Sequence, residues 1–432
     1  MSSKVKTTLM RNDDNPAMTP RLRFPQFQET GPWKTEMLGT VASISIEKVG
    51  DKTCIPMSIT SGVGLVSQME KFGRIIAGSS HKNYLLLKKN DFAYNKSATK
   101  EYPEGFIALY SGDDVAAVPN SIFTCFRIND DSPVPQFLNY LFLGNLHGKW
   151  LRKFIEVGAR AHGSLSIDEE NLLALPVPLP KGESSLVEQL KIADCLTSVD
   201  ELIAVQARKV DAIKIHKKGL IQQLFPREGE TRPRLRFPEF RNAPEWEEKK
   251  AGSLFGNRIN KGEEGLPIYS VTMHDGMVRR DSFDRNFYDI EDAAGNKKAC
   301  KNDIVYNTMR MWQGALGVAP EDCLVSPAYI VLLPQKDTVS QFFESLFKLP
   351  ASLELLRSHS RGLTKDRLRL YYDDFARIPL RCPEPAEQLR IADCLSAIDA
   401  QIAAESTKLD ALKTHKKGLM QQIFPSPEEV ET

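Results

Sequence analysis

Residues 188–226 read EQLKIADCLTSVDELIAVQARKVDAIKIHKKGLIQQLFP, and residues 387–425 read EQLRIADCLSAIDAQIAAESTKLDALKTHKKGLMQQIFP. The two align without a gap at an offset of 199, with 24 of 39 positions identical. A duplication of that strength governs the architecture before local propensity is weighed. Each copy lacks internal proline, carries one late glycine and is rich in Ala, Leu, Lys, Gln and Glu, which predicts a helix. The first copy places Ile192, Leu196, Val199, Ile203, Val210, Ile213, Leu220 and Leu224 on a 3-4 heptad seam. The second repeats it with Ile391, Leu395, Ile398, Ile402, Leu409, Leu412, Leu419 and Ile423. Two seam positions are polar in both copies, Gln206 with Glu405 and Lys217 with Lys416. Such positions cost stability but fix register and partner. Pro226 and Pro425 end the helices.

An amphipathic helix cannot hide its stripe alone, so the two copies are expected to pack on each other, antiparallel, about a pseudo-two-fold axis. At 1.5 Å per residue such helices span ~55 Å and act as a rigid spacer. The competing reading is a coiled coil that recruits an unrelated helix, making the chain a protein-binding adaptor.

A second signature opens each half. Pro20-Arg21-Leu22-Arg23-Phe24-Pro25, followed by Phe27 and Trp33, recurs as Pro233-Arg234-Leu235-Arg236-Phe237-Pro238, followed by Phe240 and Trp246. Lys89-Asn90-Asp91-Phe92-Ala93-Tyr94-Asn95 matches Lys301-Asn302-Asp303-Ile304-Val305-Tyr306-Asn307. The order is globule, helix, globule, helix. The globules, 33–182 and 246–382, read as mixed α/β, with strand-like stretches at Tyr84–Tyr94, Ile122–Ile128 and Ala328–Leu333. Helical stretches are expected at Val134–Phe154 and Val339–Ser358. The proline-punctuated exits, 175–180 and 378–383, read as stiff linkers. The domains are accordingly set at 21–182 and 227–382, the spacer helices at 183–226 and 383–425, with a preface at 1–20 and a tail at 426–432.

The chain has 432 residues, enough for two to four domains, and 57 Lys plus Arg against 56 acids give a net charge of +1. That excludes a histone-like basic coat and leaves room for local basic patches. Seven scattered cysteines and seven histidines form no disulfide framework and no zinc spacing, so no metal is expected. The N-terminus lacks the apolar core of a secretory signal, and a cytoplasmic location is expected. A phosphate loop, a complete GxGxxG (Gly62-Val63-Gly64 lacks the third glycine) and GxSxG are all missing, and no catalytic machinery or cofactor is expected. Asp373-Asp374 reads as solvated loop charge, and the His216 and His415 contexts as basic helix ends.

Local charge is more informative. Gly148–His162 carries Lys149, Arg152, Lys153, Arg160 and His162, with Ser164 just beyond; Leu356–Leu370 carries Arg357, Arg361, Lys365, Arg367 and Arg369, with Thr364. Both are placed in Gly-containing loops after the globule's helix, where such donors suit phosphate oxygens. Base-edge candidates are Asn307, Arg310 and Gln313, matched by Asn95, Lys96 and Ser97; Asn, Gln and Arg pair bidentately with adenine or guanine edges. Ser80, His81, Lys82, Arg279 and Arg280 are further loop candidates. The bland alternatives are solvated charge for the basic runs and turn chemistry for the rest. Unequal divergence, with near-identical helices and dissimilar globules, fits one duplicated scaffold carrying two different reading heads.

On the Pro-rich exits followed by Glu-Gln, the Ile-Ala-Asp-Cys-Leu helices, the Lys-Lys-Gly-Leu-x-Gln-Gln-x-Phe-Pro ends and the Arg-Phe-Pro-x-Phe…Trp openings, the chain resembles the specificity subunit of type I restriction–modification systems. The resemblance runs from Arg21 to Pro425. It implies an α+β fold with two tandem target-recognition domains separated by two long antiparallel coiled-coil helices. It also implies recognition of an asymmetric, bipartite duplex DNA site and docking of two modification (methyltransferase) subunits, joined by restriction subunits in the full complex. S-adenosylmethionine and ATP/Mg are then expected on those partners, with no membrane involvement.

Overall fold

The computed structural model describes residues 18–60, 62–155, 165, 167–282, 295–364 and 367–425, the side chains of Ser79 and Ser80 excepted. The chain divides into two compact units, Met1–Gln206 with Lys408–Thr432, and Ala207–Thr407.

In the first unit, four antiparallel strands run in the order Ala42–Ser45, Phe123–Ile128, Phe92–Asn95, Phe106–Leu109. Helices Pro135–Leu143 and Leu146–Arg152 cover one face. Phe142 stands edge-on against the stacked Phe92 and Phe126 rings, whose centroids lie 5.0 Å apart. A second four-stranded sheet follows the order Gly64–Ser67, Ile55–Thr60, Ala116–Val118, Leu85–Leu87. The second unit repeats the first sheet with Phe255–Asn257, Tyr329–Pro334, Ile304–Asn307 and Leu316–Val318 in the same order. Helices Ser340–Phe347 and Pro350–Ser358 pack there, with Phe342, Phe343 and Phe347 fully buried.

Three sequence expectations are refined. The stretch Tyr84–Tyr94 is two strands, Leu85–Leu87 and Phe92–Asn95, because Asn90 turns the chain at φ 73°. Each expected single helix is a pair: Asn145, at φ 62°, breaks the first and Pro350 starts a new helix in the second. The proline-rich exits are strands, Pro176–Leu179 on Lys34–Met37 and Pro379–Cys382 on Glu247–Lys250, both antiparallel. A two-strand ribbon uses only alternate N–H groups, so Pro176 and Pro178 are tolerated. Each β-rich domain therefore begins and ends at the same place, beside a long helix.

Those helices span Ser185–Leu224 and Pro385–Ile423. Asp200 meets Lys416 at 2.6 Å, Glu405 meets Lys209 at 3.0 Å and Asp399 meets Lys217 at 2.5 Å. Numbers rise on one helix as they fall on the other, so the pair is antiparallel. Within the units Ile192, Leu196, Val210, Ile391, Leu395 and Glu405 are buried. Val199, Ile203, Gln206, Ile213, Leu220, Ile398, Ile402, Leu409, Leu412 and Leu419 are half-buried. Lys217 with Asp399 and Lys416 with Asp200 are the same pair under the 199-residue offset.

The repeated doublet and the repeated opening explain each other. Glu188, on the first turns of its helix, accepts Arg23 Nε and Nη2 at 2.7 Å each, and Trp33 Nε1 at 3.2 Å. Glu387 accepts Arg236 in the same way at 2.7 and 2.6 Å. Gln189 and Gln388 accept the Val134 and Val339 backbone N–H groups, tying the domain helices to the long ones. Leu22 N–H donates to the Gln422 carbonyl and Leu235 N–H to that of Gln223. Phe424 packs on Trp33 and Phe137, Phe225 on Trp246 and Phe342.

Removing one partner of a buried pair leaves an uncompensated charge. Arg23 and Glu188 side chains are 5% and 1% exposed, so Glu188→Ala is expected to cost about 3–5 kcal/mol. Lys217→Ala, at a half-exposed pair, is expected to cost less than ~1 kcal/mol. Urea-denaturation midpoints compare them; equal shifts overturn the ranking.

Candidate nucleic-acid interface

Both β-rich domains put the same two segments together. In the first unit, strand Phe92–Asn95 ends in a turn where buried Asn95 accepts the Ser97 backbone N–H through Oδ1 at 3.0 Å. The Lys96 carbonyl accepts the Leu165 N–H at 2.7 Å, bringing the far side of the basic segment to this turn. In the second unit Asn307 accepts the Met309 N–H through Oδ1 at 3.0 Å. The Thr308 carbonyl accepts the Leu370 N–H at 2.9 Å. Asn95 and Asn307 thus shape the turns with the atoms that a base edge would use, as turn chemistry predicts. Arg310 and Gln313 stand exposed on the second turn, with Trp312 folded back onto the Met309 carbonyl.

The second unit's basic segment is a narrow hairpin. Arg361 and Arg369 exchange backbone hydrogen bonds at 2.8 and 2.9 Å. Side chains then alternate: Leu368 and Leu370 are buried, whereas Arg367 and Arg369 are exposed and have no side-chain partner among the described residues. Gly362 is required, since a Cβ there would meet the Arg367 carbonyl oxygen at 2.5 Å. Thr364 is exposed near the tip. Arg357 pairs with Glu354 on its own helix. Lys149, Arg152 and Arg357 lie on helices rather than in loops, inside the stretches 134–154 and 339–358 already expected to be helical, so the basic segments begin before those helices end. Lys149 is exposed, and Lys153 sits 4.9 Å from the Trp150 ring. Arg160, His162, Ser164 and Lys365 lie outside the described residues, as does the side chain of Ser80.

Other candidates stand elsewhere in their units. His81 Nε2 lies 3.1 Å from Cys54 Sγ, and Lys82 pairs with Asp51. Arg279 pairs with Asp281, and Arg280 Nε donates to Ser270 Oγ.

Sequence reasoning missed what lies under the turns. Glu104 is buried and accepts Arg152; Asp374 is buried and accepts Arg361 at 2.5 Å. Asp374 is therefore no solvated loop charge, unlike exposed Asp373: helix Tyr372–Phe375 turns it inward. The available signals were Glu104-Gly105 and the shared Tyr of the matched strands. Gly105 sits at φ 85°, where a Cβ would meet the Asn95 carbonyl at 2.4 Å. Tyr94 OH donates to the Glu104 carbonyl, and burial, then the Glu104 charge, pushes its pKa up. Tyr306 is pushed up by burial, then by Asp374.

No group of three His, Cys, Asp or Glu side chains poised for a metal occurs among the described residues, and no described helix is long and apolar enough to cross a membrane. In each unit a β-rich domain carries a cationic segment tied to a polar turn, so one arrangement occurs twice in the chain. Residues 244–414 match the family described as the type I restriction modification DNA specificity domain. The chain is 25% identical over 346 residues to the "Putative type I restriction enzyme MjaX specificity subunit" of Methanocaldococcus jannaschii, covering 76% of each protein. Its fold is similar to a chain from a structural study of complex assembly and conformational transition of a type I restriction–modification system. That match has TM-score 0.54 and 18% identity, over 91% of this chain and 98% of that one. The S subunit of the type I system from M. genitalium matches with TM-score 0.55 and 13% identity, over 95% and 100%. Residues 244–414 are thus similar to a DNA specificity domain, and the fold of the chain is that of solved type I specificity subunits.

His147 links this site to pH. It is fully buried, and burial pushes its pKa from 6.5 down to about 4 against the opposing pull of the Gly105 carbonyl and Glu104. Below 6.5 the unfolded chain takes up a proton that the fold refuses until about 4. Stability from this residue is intact above 6.5 and falls by about 3 kcal/mol across that window. His147→Gln should flatten the midpoint's pH dependence between about pH 7 and pH 4; an unchanged profile assigns it elsewhere.

Proposed function

We propose that each β-rich domain is a target-recognition domain reading one half of an asymmetric, bipartite duplex DNA site. The observation that carries this is the recurrence, in both units, of a cationic segment hydrogen-bonded to the turn after the Asn-terminated strand. Lys149, Arg152, Lys153, Arg357, Arg361, Thr364, Arg367 and Arg369 supply donors for phosphates, as do the undescribed Arg160, His162, Ser164 and Lys365. Arg310 and Gln313 are the base-edge candidates, with Ser80, His81, Lys82, Arg279 and Arg280 at the periphery.

The antiparallel helices fix the spacing between half-sites and dock two modification subunits, with restriction subunits joining in the full complex. S-adenosylmethionine belongs to the modification subunits and ATP to the restriction subunits; the assembly works in the cytoplasm. Domain limits at 21–182 and 227–382, with spacer helices between and after them, fit this reading. Methylation-sensitive sequencing of host DNA, with and without the chain, tests it directly: a gapped, two-part motif that vanishes with the chain is expected, and an unchanged methylation pattern overturns it.

Arg361→Ala with Arg367→Ala should weaken binding to every duplex and shallow the dependence of log K on log salt by ~1–2. An unchanged slope removes these residues from the phosphate contacts. Deleting one heptad from either long helix should alter the motif's gap or abolish assembly while leaving the domains folded. Methylation persisting at the original gap contradicts the ruler.

A further inference from the structure

Under the two turns lies one arrangement built from different parts of the chain. Tyr94 and Tyr306 occupy matching positions in the Asn-terminated strands, and both rings are fully buried. Beside Tyr94 is Glu104, on the turn before strand Phe106–Leu109; beside Tyr306 is Asp374, from helix Tyr372–Phe375. Glu104 Oε1 accepts Nε of Arg152 at 2.6 Å and also its Nη2, whereas Asp374 Oδ1 accepts Nη2 of Arg361 at 2.5 Å. Arg152 ends a helix and Arg361 starts a hairpin, so the two arginines hold non-equivalent places in the two halves. The second carboxylate oxygens, Glu104 Oε2 and Asp374 Oδ2, are buried and have no hydrogen-bond partner among the described residues, and neither has the Tyr306 hydroxyl.

Stability does not account for this. A buried carboxylate with an orphaned oxygen costs free energy that apolar packing would avoid. The exposures are lopsided as well: 2% for Glu104 against 69% for Arg152, and 11% for Asp374 against 66% for Arg361. The pairs that lock the scaffold differ, since Arg23 and Arg236 are themselves only 5% and 9% exposed. In the two seats the anchor is inside and the cation outside. Arg152 gives Nε and Nη2 to its carboxylate and Arg361 gives Nη2, and Nη1 of neither has a side-chain partner among the described residues.

We propose that Glu104 and Asp374 are positioning residues for DNA recognition, holding Arg152 and Arg361 so that their remaining donors address one fixed point on the duplex. This rests on the reading that these loops face DNA. A flexible arginine would bind phosphate anywhere and add affinity without discrimination, whereas a clasped one loses less rotamer freedom on binding and rejects a misplaced acceptor.

The test uses the full chain with duplexes it enriches from a randomised library and an unselected duplex of equal length. Asp374→Asn and Glu104→Gln keep shape and remove charge. Each is expected to lower affinity for the enriched duplexes about tenfold and for the unselected duplex less than about twofold. Arg361→Lys, at an exposed site that folding tolerates, should do the same, since an ammonium lacks the clasped fork. In the Arg361→Ala background, Asp374→Asn should have no further effect. Equal weakening of both duplexes, or additive losses, assigns the carboxylates a structural role and overturns the proposal. Enrichment with unchanged affinity in every variant overturns the positioning role alone; a chain that enriches no sequence overturns the DNA reading beneath it.

Discussion

One buried ion pair, made twice, organises the molecule. Glu188 and Glu387 stand at the start of the long helices and each takes both donors of one arginine from the segment opening its half. Charges this deep are stable only when paired and hydrogen-bonded, so the pair fixes geometry more than it adds free energy. It fixes a great deal. The opening segment, the first turns of one helix and the last turns of the other meet there, with Phe424 or Phe225 filling the aromatic pocket beside it. The retained Arg-Phe-Pro, Glu-Gln and Gln-Gln-x-Phe-Pro sequences are the parts of one joint.

Around that joint the two domains have diverged under a shared constraint. Asp91 and Asp303 sit at the same place before the central strand, and both are fully buried as acceptors of an arginine. Yet Arg127 reaches Asp91 from strand Phe123–Ile128, whereas Arg258 reaches Asp303 from just beyond strand Phe255–Asn257. The buried carboxylate is the invariant; the strand that neutralises it is free to change. The same logic recurs at Glu104 and Asp374, where even the carboxylate has moved.

What the sequence made legible follows from this. The long helices were readable because a heptad seam repeats over forty residues, and the duplicated openings were readable because a joint tolerates little substitution. The two domains were half readable: the helical stretches that hold Arg152 and Arg357 were marked, but the basic runs were set in loops beyond them, and Asp374 was not seen to be inside. A carboxylate's burial depends on what packs over it from distant sequence, and composition carries no trace of that. The proline-rich exits misled for a related reason. Their φ restriction is local, whereas their pairing with Lys34–Met37 and Glu247–Lys250 is not.

The division of labour is also a division of electrostatics. At the joints the arginines are buried with their carboxylates, and water and salt reach neither, so the scaffold should be insensitive to ionic strength. At the turns the carboxylates are buried but the guanidiniums are not, and Arg310, Arg367 and Arg369 have no side-chain partner among the described residues. These cations feel the solvent fully and are available to a polyanion. A net charge of +1 therefore conceals two populations of arginine, one spent internally on geometry and one held outward by it. That separation lets a duplicated scaffold stay rigid while its outward-facing residues change from one half to the other.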